Sequence, residues 1–221
     1  MADEHEGHEN DEIIVPQIME RRYVPASLKS VAWEGFNFVG HEIKIVESTD
    51  LYGAFVWPSA LVLCYFLEKH GKQLCIEDKN IIEIGSGTGL VAIVACLLEI
   101  ETHQTRQHFS SLQQSNFGAQ VVATDLEELI GNLQYNILRN TKMKSDVVYN
   151  HPYLEELLET LDHLCSENST ILWVMRFRKE NTLQENAFIQ KFQKLFDMEV
   201  IFDLPSLSIK LYRARRHNQQ K

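Results

Sequence analysis

Apolar positions along the chain follow two periods, and the places where one gives way to the other mark the elements. Phe36 and Phe38, then Ile43 and Ile45, alternate with polar residues on either side of Gly40-His41, which predicts a β-hairpin. After Trp57-Pro58, Leu61, Val62, Tyr65 and Phe66 take helical spacing; Pro58 suits the first turn and Gly71 the C-cap. The run Ile81-Ile82-Glu83-Ile84 is a short strand that breaks into Gly85, Gly87 and Gly89, and Leu90, Val91, Ile93, Val94, Leu97 and Leu98 then continue as a buried helix. Val121-Val122-Ala123-Thr124-Asp125 is the next strand, and Leu129, Ile130, Leu133, Ile137 and Leu138 the next helix. Asp146-Val147-Val148-Tyr149 reads as a strand, residues 152–164 as a helix, 170–177 as a strand and 187–196 as a helix. Residues 199–202 and 208–212, turned at Pro205, close the pattern as an antiparallel pair.

Three stretches break the rhythm. Residues 1–15 hold Asp3, Glu4, Glu6, Glu9, Asp11 and Glu12 and read as an acidic disordered tail, with an irregular lead-in up to Pro25. Residues 99–117 are polar, Gln- and Ser-rich and without a period, so they read as an insertion looping away from the glycine turn. Only Thr141-Lys142-Met143-Lys144 lies between the helix ending at Asn140 and Ser145-Asp146. A doubly wound sheet places a third strand and a loop there, roughly 20 residues or more by the usual connection lengths. The expectation is therefore an α/β domain over 16–221 lacking the third strand, with Asp146–Tyr149 as the fourth. The second strand would then be left as an apolar edge.

Composition narrows the partners. At 221 residues the chain builds one sizeable core, and a formal net charge of −10 argues against a broad nucleic-acid-binding surface. No apolar run approaches the ~18 residues of a membrane span, and no basic-then-apolar leader precedes the domain, which predicts a cytoplasmic or nuclear protein. Cys64, Cys75, Cys96 and Cys165 form no Cys-x-x-Cys pair, so reduced thiols and no metal centre are expected.

The chemistry concentrates at the glycines. A glycine turn between a strand and a helix lets backbone N–H groups approach an anionic or strongly polar ligand. An acid at the tip of the second strand, Asp125, suits a ribose diol. Dinucleotide and S-adenosylmethionine sites share both parts, and position 90 separates them: a dinucleotide turn wants glycine where this chain has Leu90. Asp146 and Tyr149 are read as reaching the same rim; alternatively, Asp146 caps the following helix and Tyr149 packs. Trp57 is either packing or a wall of the cofactor pocket.

Glu83-Ile84-Gly85-Ser86-Gly87-Thr88-Gly89 resembles motif I of class I S-adenosylmethionine-dependent methyltransferases. With Phe55-Val56-Trp57-Pro58, Thr124-Asp125 and Asp146-Val147-Val148-Tyr149, the chain resembles the methyltransferase-like 21 group (family 16) of seven-β-strand protein-lysine methyltransferases over most of residues 33–216. The resemblance implies a Rossmann-like sheet and S-adenosylmethionine as cofactor. It implies cofactor contacts from Trp57, Glu83, Gly85, Ser86, Gly87, Gly89, Asp125 and Ser145, and a lysine channel bordered by Asp146 and Tyr149. The substrate it implies is a protein, with chaperones and related ATPases as the class, acted on by a monomer. The chain departs from the family in the 99–117 insertion, in Ser145 where alanine is usual, and in the gap after Lys144. That gap removes an Asp-Trp element whose tryptophan packs near the adenine. The rival to an active enzyme is a catalytically impaired relative that keeps the fold as a partner-binding module.

Overall fold

In the computed structural model, residues 11–23, 33–48, 53–76, 79–107, 121–141, 146–149, 154–177 and 182–217 are described. The elements in chain order are α1 (Asp11–Met19), β1 (Arg22–Tyr23), β2 (Trp33–Phe38), β3 (His41–Val46), α2 (Pro58–Leu74), β4 (Ile81–Ile84), α3 (Leu90–Gln107), β5 (Val121–Asp125), α4 (Glu127–Asn140), β6 (Asp146–Tyr149), α5 (Leu154–Leu164), β7 (Ile171–Arg176), α6 (Thr182–Phe192), β8 (Phe196–Leu204) and β9 (Ile209–Arg216). Contacts divide the chain into two units, residues 21–157 and residues 1–20 with 158–221.

The first unit carries the glycine turn. β4, β5 and β6 form a parallel sheet in that order, Ile81 opposite Val121 and Ile84 opposite Thr124. α3 is buried along Leu90–Leu97, as a helix pressed against such a sheet must be. The predicted hairpin is present with its turn one residue earlier than Gly40-His41: β2 and β3 pair antiparallel through Val39 and Gly40, both at positive φ (53° and 66°), and His41 already belongs to β3. That is the two-residue geometry whose twist matches the strands. Val39 is β-branched and strained there; its N–H donates to Glu68 Oε1 at 2.6 Å, which holds it in place. Gly71 does not end α2. The helix runs to Leu74 and is capped by Cys75 in the left-handed conformation (φ 51°), while Gly71 lies inside, where an added Cβ would meet Ile76 and Leu98 at 3.4 Å.

The hairpin's outer edge is closed by a helix. Asn132, Asn136 and Asn140 stand four apart on α4 and so share one face. Val46 N–H donates to Asn136 Oδ1 (2.8 Å) and Lys44 N–H to Asn140 Oδ1 (2.8 Å). Their carbonyls accept in return, Val46 O from Asn132 and Asn136 Nδ2 (2.9 and 3.0 Å) and Lys44 O from Asn140 Nδ2 (2.8 Å). A side-chain amide offers the same donor and acceptor as a peptide group, so the ladder stands in for a fourth strand on an edge that would otherwise present bare backbone.

Three sequence expectations change here. Residues 99–107 continue α3 instead of looping out; Glu, Gln and Arg are good helix formers, and a helix needs no apolar period to keep its backbone bonds. Residues 108–117 lie outside the described residues. Strand Asp146–Tyr149 is not in the fourth place: in the order 3-2-1-4 a fourth strand lies beside the first, yet β6 pairs with β5. Five residues between α4 and β6 suit a return to the neighbouring position but not a second crossing of the sheet. β5 is consequently an inner strand, not an apolar edge.

In the second unit, β7 and β8 flank β9, both antiparallel to it, and the predicted closing pair is β8–β9. Trp173, Phe188, Phe192, Phe196 and Tyr212 pack as its aromatic core. Residues 11–15, expected in the disordered tail, belong to α1, which buries Ile14 and Ile18 one turn apart (2% and 0% exposed) against β8. Tail residues 1–10 lie outside the described residues.

Candidate cofactor site

The turn between β4 and α3 is tied to β5 at every step. Gly85 and Ser86 N–H both donate to Thr124 O at 2.9 Å, and Gly89 N–H donates to Ser86 O at 2.8 Å. Ser86 is buried; its Oγ accepts from Thr124 N–H at 3.1 Å. Its role in this geometry is to hold the turn, with its hydroxyl aimed at the strand. Gly89 has φ +84°, and a Cβ there would lie 2.6 Å from Leu133 of α4. Gly87 has φ +54°, and a Cβ there would press within 3.0 Å of the Gly53 carbonyl. The turn is therefore pinched between α4 and the segment that leads to Trp57, the residue preceding α2.

Asp125 sits at the end of β5, 9% exposed. Its Oδ2 accepts from Gly87 N–H at 2.5 Å and its Oδ1 from Leu126 N–H at 2.7 Å. Each oxygen keeps a lone pair for a further donor. With the amides of Gly85, Ser86, Gly87 and Gly89 engaged by the protein itself, the turn is not a cradle of free N–H groups for a phosphate. This revises the expectation of an anion at the glycines and weighs further against a dinucleotide, whose pyrophosphate needs those donors.

Glu83 supplies what the amides do not. Burial pushes its carboxyl up from 4.5 to about 8, with the charge of Asp125 adding to the rise while bonds from Ser86 and the Ala92 amide oppose it. Its Oε2 is buried and unpaired among the described residues. A buried acceptor without a donor costs roughly 1–3 kcal/mol, and a ligand ammonium removes that cost. S-adenosylmethionine carries an ammonium and a ribose diol, so Glu83 and Asp125 fit it.

The predicted catalytic pair forms the two ends of β6. Tyr149 lies opposite Asp125 in the sheet and reaches the rim, but Asp146 lies opposite Val122, three residues down the strand. At about 3.3 Å per residue this puts the two Cα positions on the order of 10 Å apart along β6. Ser145 lies outside the described residues. Sequence reasoning missed Asn136, fully buried, whose Nδ2 also donates to Thr88 O within the turn at 3.1 Å. The available signal was asparagine, a poor helix former, recurring every four residues among the apolar positions of α4.

A glycine turn on the first of two parallel strands, an acid ending the second and a buried carboxyl with an unpaired oxygen beside them fit a class I S-adenosylmethionine-dependent methyltransferase. The 16S rRNA N2 G1207 methyltransferase of T. Thermophilus, solved in complex with AdoMet and guanosine, has the same fold: TM-score 0.52, 16% identity, 88% of this chain and 53% of that one. More narrowly, the family described as "Lysine methyltransferase" matches residues 38–145 and 142–195, and the chain belongs to it. The protein-lysine methyltransferase METTL21E of Mus musculus is 50% identical over 96% of this chain and 91% of its own length. The protein N-lysine methyltransferase METTL21A of Mus musculus is 30% identical over 84% and 88%. The two family-matched stretches meet at 142–145, where the sequence shows its missing segment.

Proposed function

We propose that this chain binds S-adenosylmethionine across the ends of β4 and β5 and transfers its methyl group to a lysine side chain of a protein substrate. The observation that carries this reading is the unpaired Glu83 Oε2 beside a turn whose amides are spent. When bound, the cofactor supplies an electrophilic methyl group on a sulfonium. In this assignment Glu83 holds the ammonium, Asp125 accepts from the ribose hydroxyls, Gly85 keeps its open side free of a side chain, and Gly87 and Gly89 let the turn pack against Gly53 and Leu133. Trp57 closes one side, and Ser86 supports the turn.

The chain's remaining task is to present a neutral lysine nitrogen in line with the S–CH3 bond; alignment of this kind is worth roughly 7–11 kcal/mol. Tyr149, level with Asp125, borders the lysine channel in this assignment. The family resemblance points to chaperones and related ATPases as substrates, and to a monomer acting in the cytosol or nucleus. There an exposed thiol such as Cys75 stays reduced.

The pairing of β6 with β5, where the chain lacks its third strand, favours a second reading, a catalytically impaired relative that keeps the fold as a partner-binding module. Titration calorimetry with S-adenosylmethionine, followed by transfer of radiolabelled methyl to candidate ATPases, tests both. Saturable binding with transfer supports the enzyme. Binding without transfer sinks the active enzyme but leaves the cofactor site standing, and a folded chain that takes up no cofactor supports the partner-binding module.

A further inference from the structure

We infer that Asn136 is a positioning residue for the cofactor turn: its side-chain amide holds the Thr88 carbonyl and so couples the hairpin's edge to the glycines. The inference rests on the cofactor site proposed above. α3's first bond runs from Ile93 N–H to Gly89 O at 2.9 Å, so the Thr88 carbonyl lies one residue outside the helix's own ladder. Thr88 is buried, 3% exposed, and Asn136 Nδ2 supplies its carbonyl with a donor at 3.1 Å.

The same amide is held from the other side. Asn136 Oδ1 accepts from Val46 N–H (2.8 Å), and Nδ2 also reaches Val46 O (3.0 Å) and Asn132 Oδ1 (3.2 Å). Both ends of the side chain are thereby fixed, as a group that sets another group's position must be. Thr88 stands between Gly87, whose N–H grips Asp125, and Gly89, pinched against Leu133. A shift of the Thr88 carbonyl would move both. Asn140 gives the natural contrast, because it clamps Lys44 through the same chemistry without touching the turn.

The test compares Asn136→Ala with Asn140→Ala by cofactor titration and by hydrogen exchange at residues 85–90, with thermal melting to confirm that each variant is folded at the working temperature. Both variants lose stability. Asn136→Ala alone should weaken S-adenosylmethionine binding roughly tenfold, as expected when a buried carbonyl loses its donor, and speed exchange in the turn. Asn136→Asp, which keeps the size and the acceptor but removes the donor, should match Asn136→Ala in both readouts. Parental affinity and exchange in Asn136→Ala, or equal losses in Asn140→Ala, overturn the inference. If the parent binds no cofactor while Asn136→Ala alone loosens the turn, the cofactor assignment fails and the positioning role stands.

Discussion

The cofactor half and the substrate half of this site are built in opposite ways. Around the glycine turn, described polar groups are tied by hydrogen bonds within the fold: Thr124 O takes two amides, Asp125 takes two more, and Asn136 donates to the Thr88 carbonyl. Strand Asp146–Tyr149 carries the residues assigned to the lysine channel, yet its place depends on how much chain precedes it. With five residues between α4 and β6 it pairs beside β5. A strand's hydrogen bonds are satisfied by either neighbour, so a deletion can move a functional motif without unfolding anything. Cofactor binding and methyl transfer are therefore separable in this chain.

The sharpest way to break the contrast is to restore the length. Inserting a family-like segment between Lys144 and Ser145 should release β6 to the fourth position and raise lysine methylation by roughly 100-fold or more, since misplacement by about 1 Å already costs that much. Cofactor affinity should rise less, by the roughly 1–3 kcal/mol of an aromatic restored beside the adenine. Equal transfer by both forms, measured with radiolabelled cofactor, would show that β6 works where it is.

The next largest effect concerns Glu83. Its folded-state value of about 8 lies above the ordinary 4.5, so the folded chain holds a proton that the unfolded chain releases. Its contribution to stability is complete below 4.5 and is lost as pH rises through 8. Glu83→Gln, permanently neutral, should gain on the parent across that window by on the order of 2–4 kcal/mol while binding cofactor more weakly. Melting temperatures of the two chains that run parallel from pH 4.5 to 8 would place the proton elsewhere.

Smallest is Asp125→Ala, which should weaken S-adenosylmethionine binding by roughly 1.5–3 kcal/mol, the range for hydrogen bonds to a charged group. Because Asp125 also grips Gly87, faster hydrogen exchange at the turn should accompany the loss. Unchanged affinity on calorimetry would move the ribose contact to another residue.

Local signals carried most of the fold. Strand, glycine turn, helix and strand-ending acid are each set by neighbouring residues, and β4, α3, β5 and α4 stand where their periods put them. So does the hairpin, because two consecutive residues fix its turn. Period alone could not mark where α3 ends, since a helix needs no apolar stripe to keep its backbone bonds. Nor could it mark α1, whose burial rests on only Ile14 and Ile18.

Sequence by itself determined the class of ligand, because Glu83, the glycines and Asp125 are held in one βαβ unit by local geometry. Only the tertiary structure decided that the turn's amides are already spent, that three asparagines of α4 replace a strand on β3, and that β6 pairs with β5. Each of these depends on which backbone edge meets which partner across more than 20 residues of chain. Periodicity shows which face of a strand or helix is buried and carries no information about what pairs along its edge.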